Sequence, residues 1–233
     1  MNQNNPIIVA LDVESADQAR ALVERIGDPV RFYKVGMELY AAAGMEFVRE
    51  LIAGGKQVFL DMKFYDIGET VKRAVAQVAD AGVSLLTIHG SVAVMKAAVE
   101  GRGASPLRLL AVTVLTSYDQ QDLADLGYPC AVEDLVTLRV NKAMEAGVDG
   151  LVLSPLEVGK VRAKIGESPI LVTPGVRSAG AAKGDQKRVA TPAEAMQAGA
   201  TYLVIGREVT RASDPGAEAA RIFNDIQPFL THK

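Results

Sequence analysis

A single cysteine, Cys130, stands among 233 residues, so no intramolecular disulfide can form, and this usage fits a reducing compartment. Histidine is almost as scarce. His89 and His232, the latter in the terminal tail, are too few for a histidine-based metal site. No apolar run reaches the roughly 18 residues of a membrane span. The opening "MNQNNPIIVAL" lacks a basic leader and a long apolar stretch, and it meets Asp12 too early for a signal peptide. A soluble cytoplasmic protein is the expectation. Neither charge sign dominates: 25 Lys and Arg against 28 Asp and Glu give a net charge of -3, and the basic residues are scattered. That pattern gives no electrostatic footprint for nucleic acid, although it leaves room for a local phosphate pocket. A Pro/Gly/Ser-rich linker is also missing, so one domain over residues 1–233 is expected.

What the chain does have is apolar residues, 49% against 23% charged, a composition for a folded core rather than disorder. They fall in eight short runs: 7–11, 31–36, 57–61, 84–88, 107–115, 150–154, 169–173 and 202–206. Most are nearly continuous in apolar residues rather than alternating, as in strands covered on both faces. Helical patterns lie between them. Ser15 can cap a helix whose Ala19, Leu22, Val23 and Ile26 share a face and which stops near Gly27. Residues 70–82 place Val71, Ala74, Val75, Val78 and Ala79 on one stripe and close at Gly82. "TPAEAMQAG" carries Thr191 as cap, Pro192 at the first helical position and Glu194 at the third. Ser213 or Asp214 caps the last helix. Eight strand–helix units in this length predict an α/β (β/α)8 TIM barrel of the phosphate-binding type. A doubly wound open sheet is the alternative, but "GMELYAAAG" is no GxGxxG fingerprint.

Barrel sites form where strands end at the C-terminal face, and these ends are polar. The first strand ends at Asp12, the second carries Lys34, and the third leads into Asp61, Lys63 and Asp66. Thr113, Thr116 and Ser117 close the fifth, and His89 the fourth. Each has a structural reading: Asp12 as a cap, Lys34 snorkelling, Asp61 with Lys63 as one ion pair, His89 packing or hydrogen bonding at the barrel top. Burying so many charges costs several kcal/mol unless they are paired, and a barrel needs no such network to fold. An alternating Lys–Asp array would satisfy each charge and hold an ammonium against a reacting carbon. A phosphate cradle is the second candidate, from Gly175 and Arg177 after the seventh strand and Gly206 with Arg207 after the eighth. Cys130, with no histidine near it in sequence, reads as structural, and Met37, Met45 and Met144 as core filler.

"DMKFYDIGETV" resembles the D-x-K-x-x-D-I-x-x-T signature of the orotidine 5'-phosphate decarboxylase family, in its compact bacterial form. The resemblance continues in order through "ALD", "YKVG", "AVTVLTS", "VTPGVR", "GDQKR" and "IGR", and so covers nearly the whole chain. It implies cofactor-free, metal-free conversion of orotidine 5'-phosphate to UMP and CO2, in a homodimer. Carried over, the charged array is Lys34, Asp61, Lys63 and the partner's Asp66. Asp12 and Lys34 would meet ribose hydroxyls, with Thr70 of the partner subunit. Thr116 would lie at the pyrimidine, Pro174 would wall the base, and Gln186, Arg207 and the Gly206 backbone would hold phosphate, with Arg177 near a closing loop. The local "GE" at 68–69 falls at tolerant positions of the signature. The nearest alternative is a metal-dependent sugar-phosphate lyase or decarboxylase on the same barrel. A catalytically silent phosphate-binding barrel is a third possibility, of a different class.

Overall fold

The computed structural model describes residues 5–178 and 188–230. Eight parallel strands form a closed barrel in sequence order, β1 pairing with β8 to complete it. The strands are β1 (Ile7–Ala10), β2 (Phe32–Gly36), β3 (Gln57–Phe64), β4 (Leu85–His89), β5 (Arg108–Val112), β6 (Gly150–Val152), β7 (Ile170–Thr173) and β8 (Tyr202–Ile205). Closure removes every sheet edge and excludes the open doubly wound alternative. Around them run α1 (Ala16–Ile26), α2 (Met37–Ala53), α3 (Gly68–Asp80), α4 (Val92–Arg102), α5 (Gln120–Asp125), α6 (Val132–Ala146), α7 (Val158–Ile165), α8 (Pro192–Gln197), α9 (Arg207–Thr210) and α10 (Pro215–Ile226). No helix among the described residues is long and apolar enough to cross a membrane.

The caps follow the local chemistry. Ser15 accepts a hydrogen bond from the Gln18 N–H, Thr191 and Glu194 close a reciprocal capping box, and Asp214, rather than Ser213, accepts from the Ala217 N–H to start α10. Asp12 caps nothing; Ser15 has that role.

Strand side chains alternate between two cores. Ile8, Ala10, Phe32, Phe59, Leu85, Leu110, Val172 and Val204 fill the barrel lumen. Their neighbours, such as Ile7, Val9, Val35, Leu60 and Leu86, pack under the helices. Both faces being buried explains the continuous apolar runs. The same period of two carries polar residues inward at the top: Ala10 is followed by Asp12, Phe32 by Lys34, Phe59 by Asp61, and Leu85 by Thr87.

Three expectations are corrected here. β3 does not stop at Asp61 but continues to Phe64, and β5 stops at Val112 instead of Leu115. Met37 is no core filler: as the first residue of α2, at the barrel rim, it is 62% exposed. Met45 and Met144 do pack against the core.

Candidate active site

A cavity of about 870 Å³ opens at the C-terminal ends of the strands, floored by Ala10, Phe59, Val152 and Val204 of the lumen. Asp12, Lys34, Asp61, Lys63, Thr116, Pro174, Arg177, Gly206 and Arg207 all line it. Thus the ends of β1, β2, β3, β5, β7 and β8 converge on one space, although their residues span most of the chain.

The charges alternate. Lys34 is buried, and its Nζ donates to Asp12 Oδ1 at 2.8 Å and lies 3.9 Å from Asp61 Oδ2. Asp61 Oδ1 accepts from Lys63 Nζ at 2.8 Å. The order Asp12–Lys34–Asp61–Lys63 leaves each inner charge between two of opposite sign, which offsets the desolvation that would otherwise penalise Lys34 and Asp61. Gly36 makes room for this: a Cβ there would lie 2.8 Å from Lys34 Nζ and 3.3 Å from Asp12 Oδ1.

Lys63 stands in an unusual backbone. Its φ of 49° is the only positive value at a non-glycine residue among those described. Left-handed geometry costs an L-residue about 1–2 kcal/mol. The cause is a register shift, since β3 and β4 pair Leu60 with Leu86 and then Phe64 with Ile88. Such a bulge re-aims a side chain, here into the cavity. Thr87, which no motif singled out, contacts both Lys63 and Asp61 across this bulge. The signal available in the sequence was a polar residue within the apolar run "SLLTI".

The Thr116 wall is braced from below. Arg188 donates through Nη2 to the Leu115 carbonyl at 3.0 Å and pairs through Nη1 with Glu157, whose other oxygen accepts from the Ser154 N–H. Burial pulls the Arg188 guanidinium below the usual arginine range. On the far side, the Arg177 N–H donates to the Ala190 carbonyl, and the Ser178 N–H to Glu208 of α9.

Two predicted residues stay outside the cavity. Asp66 and Thr70 are exposed, and Asp66 Oδ1 accepts from the Ile67 N–H at 2.7 Å. Beside them Tyr65 and Ile67 are 68% and 73% exposed, a high fraction for side chains of that size. Gln186 lies outside the described residues. His89 stacks on Tyr65, with ring centroids 4.1 Å apart, and its Nδ1 is buried without a hydrogen-bond partner. It therefore packs at the barrel top, as the structural reading had it. Burial, and then the charge of Arg139, hold its imidazole below the ordinary 6.5. Cys130 is half-buried against the core and makes no disulfide. Among the described residues no group of three or more His, Cys, Asp or Glu is placed to hold a metal ion.

A family model described as orotidine 5'-phosphate decarboxylase / HUMPS family matches residues 5–222. The orotidine 5'-phosphate decarboxylase of Nitrobacter winogradskyi is 53% identical over 224 residues, covering 96% of this chain and 93% of that one. The Caulobacter sp. protein of the same name is 49% identical over 226 residues, covering 97% and 99%. A crystal structure of orotidine 5'-phosphate decarboxylase from Lactobacillus acidophilus matches with a TM-score of 0.83 at 35% identity, covering 95% of this chain and 99% of that one.

Proposed function

The chain belongs to the orotidine 5'-phosphate decarboxylase / HUMPS family and has orotidine 5'-phosphate decarboxylase activity, and we propose that Lys63 carries the chemical step. The supporting observation is the Lys63 ammonium, held by Asp61 in the cavity on a backbone that only a specific requirement would keep strained.

Loss of CO2 leaves the C6–carboxyl electron pair on an sp2 carbon that no adjacent carbonyl can stabilise as an enolate. A cation fixed beside that carbon stabilises the charge as it develops, with no reorganisation at the moment of reaction. Lys63 Nζ then passes its proton to C6, giving UMP, and recovers a proton from solvent. Asp61 lies where the substrate carboxylate would approach. Two like charges at close range disfavour the bound ground state, and departure of neutral CO2 relieves the repulsion.

The rest of the cavity positions the nucleotide. Asp12 and Lys34 meet the ribose hydroxyls, Thr116 reads the pyrimidine edge, and Pro174 walls the base. Arg207 and the Gly206 N–H hold the phosphate, together with Gln186, and Arg177 flanks that end. Phosphate contacts far from C6 contribute binding energy that is realised at the reacting carbon.

The working unit in this proposal is a homodimer. Asp66 and Thr70 face away from their own cavity and reach the partner's, extending the alternating array by one carboxylate beyond Lys63. The exposed Tyr65 and Ile67 flank Asp66 on that surface. The chain forms one barrel domain and works in the cytoplasm, with no metal or organic cofactor.

The test is to incubate purified, EDTA-treated protein with orotidine 5'-phosphate and follow the loss of orotate-type ultraviolet absorbance. Metal-free conversion to UMP is the expected result. No conversion by the folded protein, with turnover of sugar phosphates on adding a divalent metal, would overturn the proposal.

A further inference from the structure

One residue of β4 stands opposite three of β3. Leu60 pairs with Leu86 and Phe64 with Ile88, so Asp61, Met62 and Lys63 share Thr87 as their only facing residue. An interruption of this size takes backbone groups out of the ladder, and an unpaired N–H inside a barrel wall is costly. The Thr87 hydroxyl replaces the missing partner, accepting from the Lys63 N–H at 2.9 Å.

The direction of the next bond follows from that one. An amide N–H can only donate, so the hydroxyl keeps its own proton for a second partner. That partner is Asp61 Oδ1, 2.9 Å away, the same oxygen that accepts from Lys63 Nζ. A ring closes: Lys63 N–H to Thr87, Thr87 to Asp61, and Lys63 Nζ to Asp61. Every donor has its acceptor, and Asp61 Oδ1 takes part as the acceptor of both bonds. Thr87 itself is fully buried and does not line the cavity.

We infer that Thr87 is a positioning residue: its hydroxyl locks the strained Lys63 backbone and the Asp61 carboxylate into one unit that aims the ammonium at the reacting carbon. This rests on the proposed role of Lys63. A hydroxyl that only patched the bulge would matter for stability and not for turnover per folded molecule. A hydroxyl that aims Lys63 matters for the chemical step while leaving the nucleotide contacts of Arg207 and Thr116 in place.

The decisive pair is Thr87→Val, which keeps the shape and removes the hydroxyl, and Thr87→Ser, which restores it. Thr87→Val should lower kcat by about 10- to 100-fold, the effect of losing a hydrogen bond to a charged group. Its affinity for UMP should stay within about 3-fold of the parent, and Thr87→Ser should recover kcat to within about 3-fold. If valine prevents folding, Thr87→Cys, of similar size and a weak donor, carries the same expectation. A second readout is independent of turnover. Labelling of Lys63 by trinitrobenzenesulfonate, followed by peptide mass spectrometry, should rise several-fold in Thr87→Val as the ammonium leaves Asp61.

Parental kcat in folded Thr87→Val, UMP affinity falling in step with kcat, or failure of serine to rescue would each overturn the inference. An unmodified protein that does not turn over orotidine 5'-phosphate would instead overturn the functional proposal. The labelling ratio would then still decide whether Thr87 holds Lys63: an unchanged ratio counts against it, a raised one for it.

Discussion

Replacing Lys63 by alanine and, separately, by glycine isolates the strain at the centre of the site. Both substitutions remove the ammonium and the 2.8 Å bond to Asp61, so that loss cancels in the comparison. What remains is the backbone at φ 49°. Alanine still carries a Cβ and keeps the left-handed cost of about 1–2 kcal/mol, whereas glycine does not. Against this, glycine gives the unfolded chain more freedom, which costs about 0.5–1 kcal/mol relative to alanine. The balance favours Lys63→Gly by about 0.5–1 kcal/mol, the reverse of the ordinary order within a strand. In a chain of this length about 1 kcal/mol moves Tm by about 2–4 °C. Parallel thermal melts, supported by urea midpoints, should therefore place Lys63→Gly about 1–4 °C above Lys63→Ala. Both variants should bind UMP and both should lose nearly all turnover. A glycine variant that melts at or below the alanine variant would refute the strain argument. Turnover near the parental rate in either would refute the role of the ammonium.

Three other expectations follow from named contacts. Gly36→Ala places a methyl 2.8 Å from Lys34 Nζ; the clash is with the end of a flexible side chain, so the fold should survive while kcat/KM falls by about 100-fold, and an unchanged kcat/KM would show that Lys34 is not held where the structure has it. The lowered His89 pKa means that, as pH falls below 6.5, the unfolded chain takes up a proton more readily than the folded one, so stability present above 6.5 is lost on acidification. His89→Phe retains a ring against Tyr65 and should flatten the decline in Tm between about pH 7 and pH 5, and an equal decline would place its cause elsewhere. Finally, co-refolding Lys63→Ala with Asp66→Asn should restore about a quarter of parental activity, because about half the dimers are mixed and each has one intact site, whereas no recovery would reject a shared site.

The barrel was legible because its strands are buried on both faces, which leaves continuous apolar runs such as "IIVAL" and "LLAV" that few other architectures need. The inward charges were legible for a related reason. With a period of two, an inward Phe32 makes Lys34 inward, and an inward Phe59 makes Asp61 inward. The bulge was not. Nothing within "QVFLDMKF" says that three residues will face one, because that depends on where β4 starts its pairing, a non-local property. Thr87 was hidden for the same reason: threonine is an ordinary strand former, and only the gap opposite makes its hydroxyl more than that. Met37 misled because side-chain type sets a preference for burial, while its place at the start of α2, directly after the barrel rim, sets the outcome. Asp66 was legible as part of the charged cluster after the third strand, but its assignment to a partner's site, and Thr70 altogether, came from the signature alone, since neither residue lines the cavity of its own chain.

Where a chain needs positive φ only to turn, glycine supplies it without steric cost, as it does at Gly27, Gly82 and Gly147. At residue 63 the same backbone region holds a lysine, although glycine there would relieve about 1–2 kcal/mol. A requirement for fold alone would favour glycine. On the role proposed for Lys63, the requirement met by lysine is an ammonium at that point of the cavity. The cost of the left-handed residue is thus part of the preorganisation of the site, borne in the folded state before any substrate arrives.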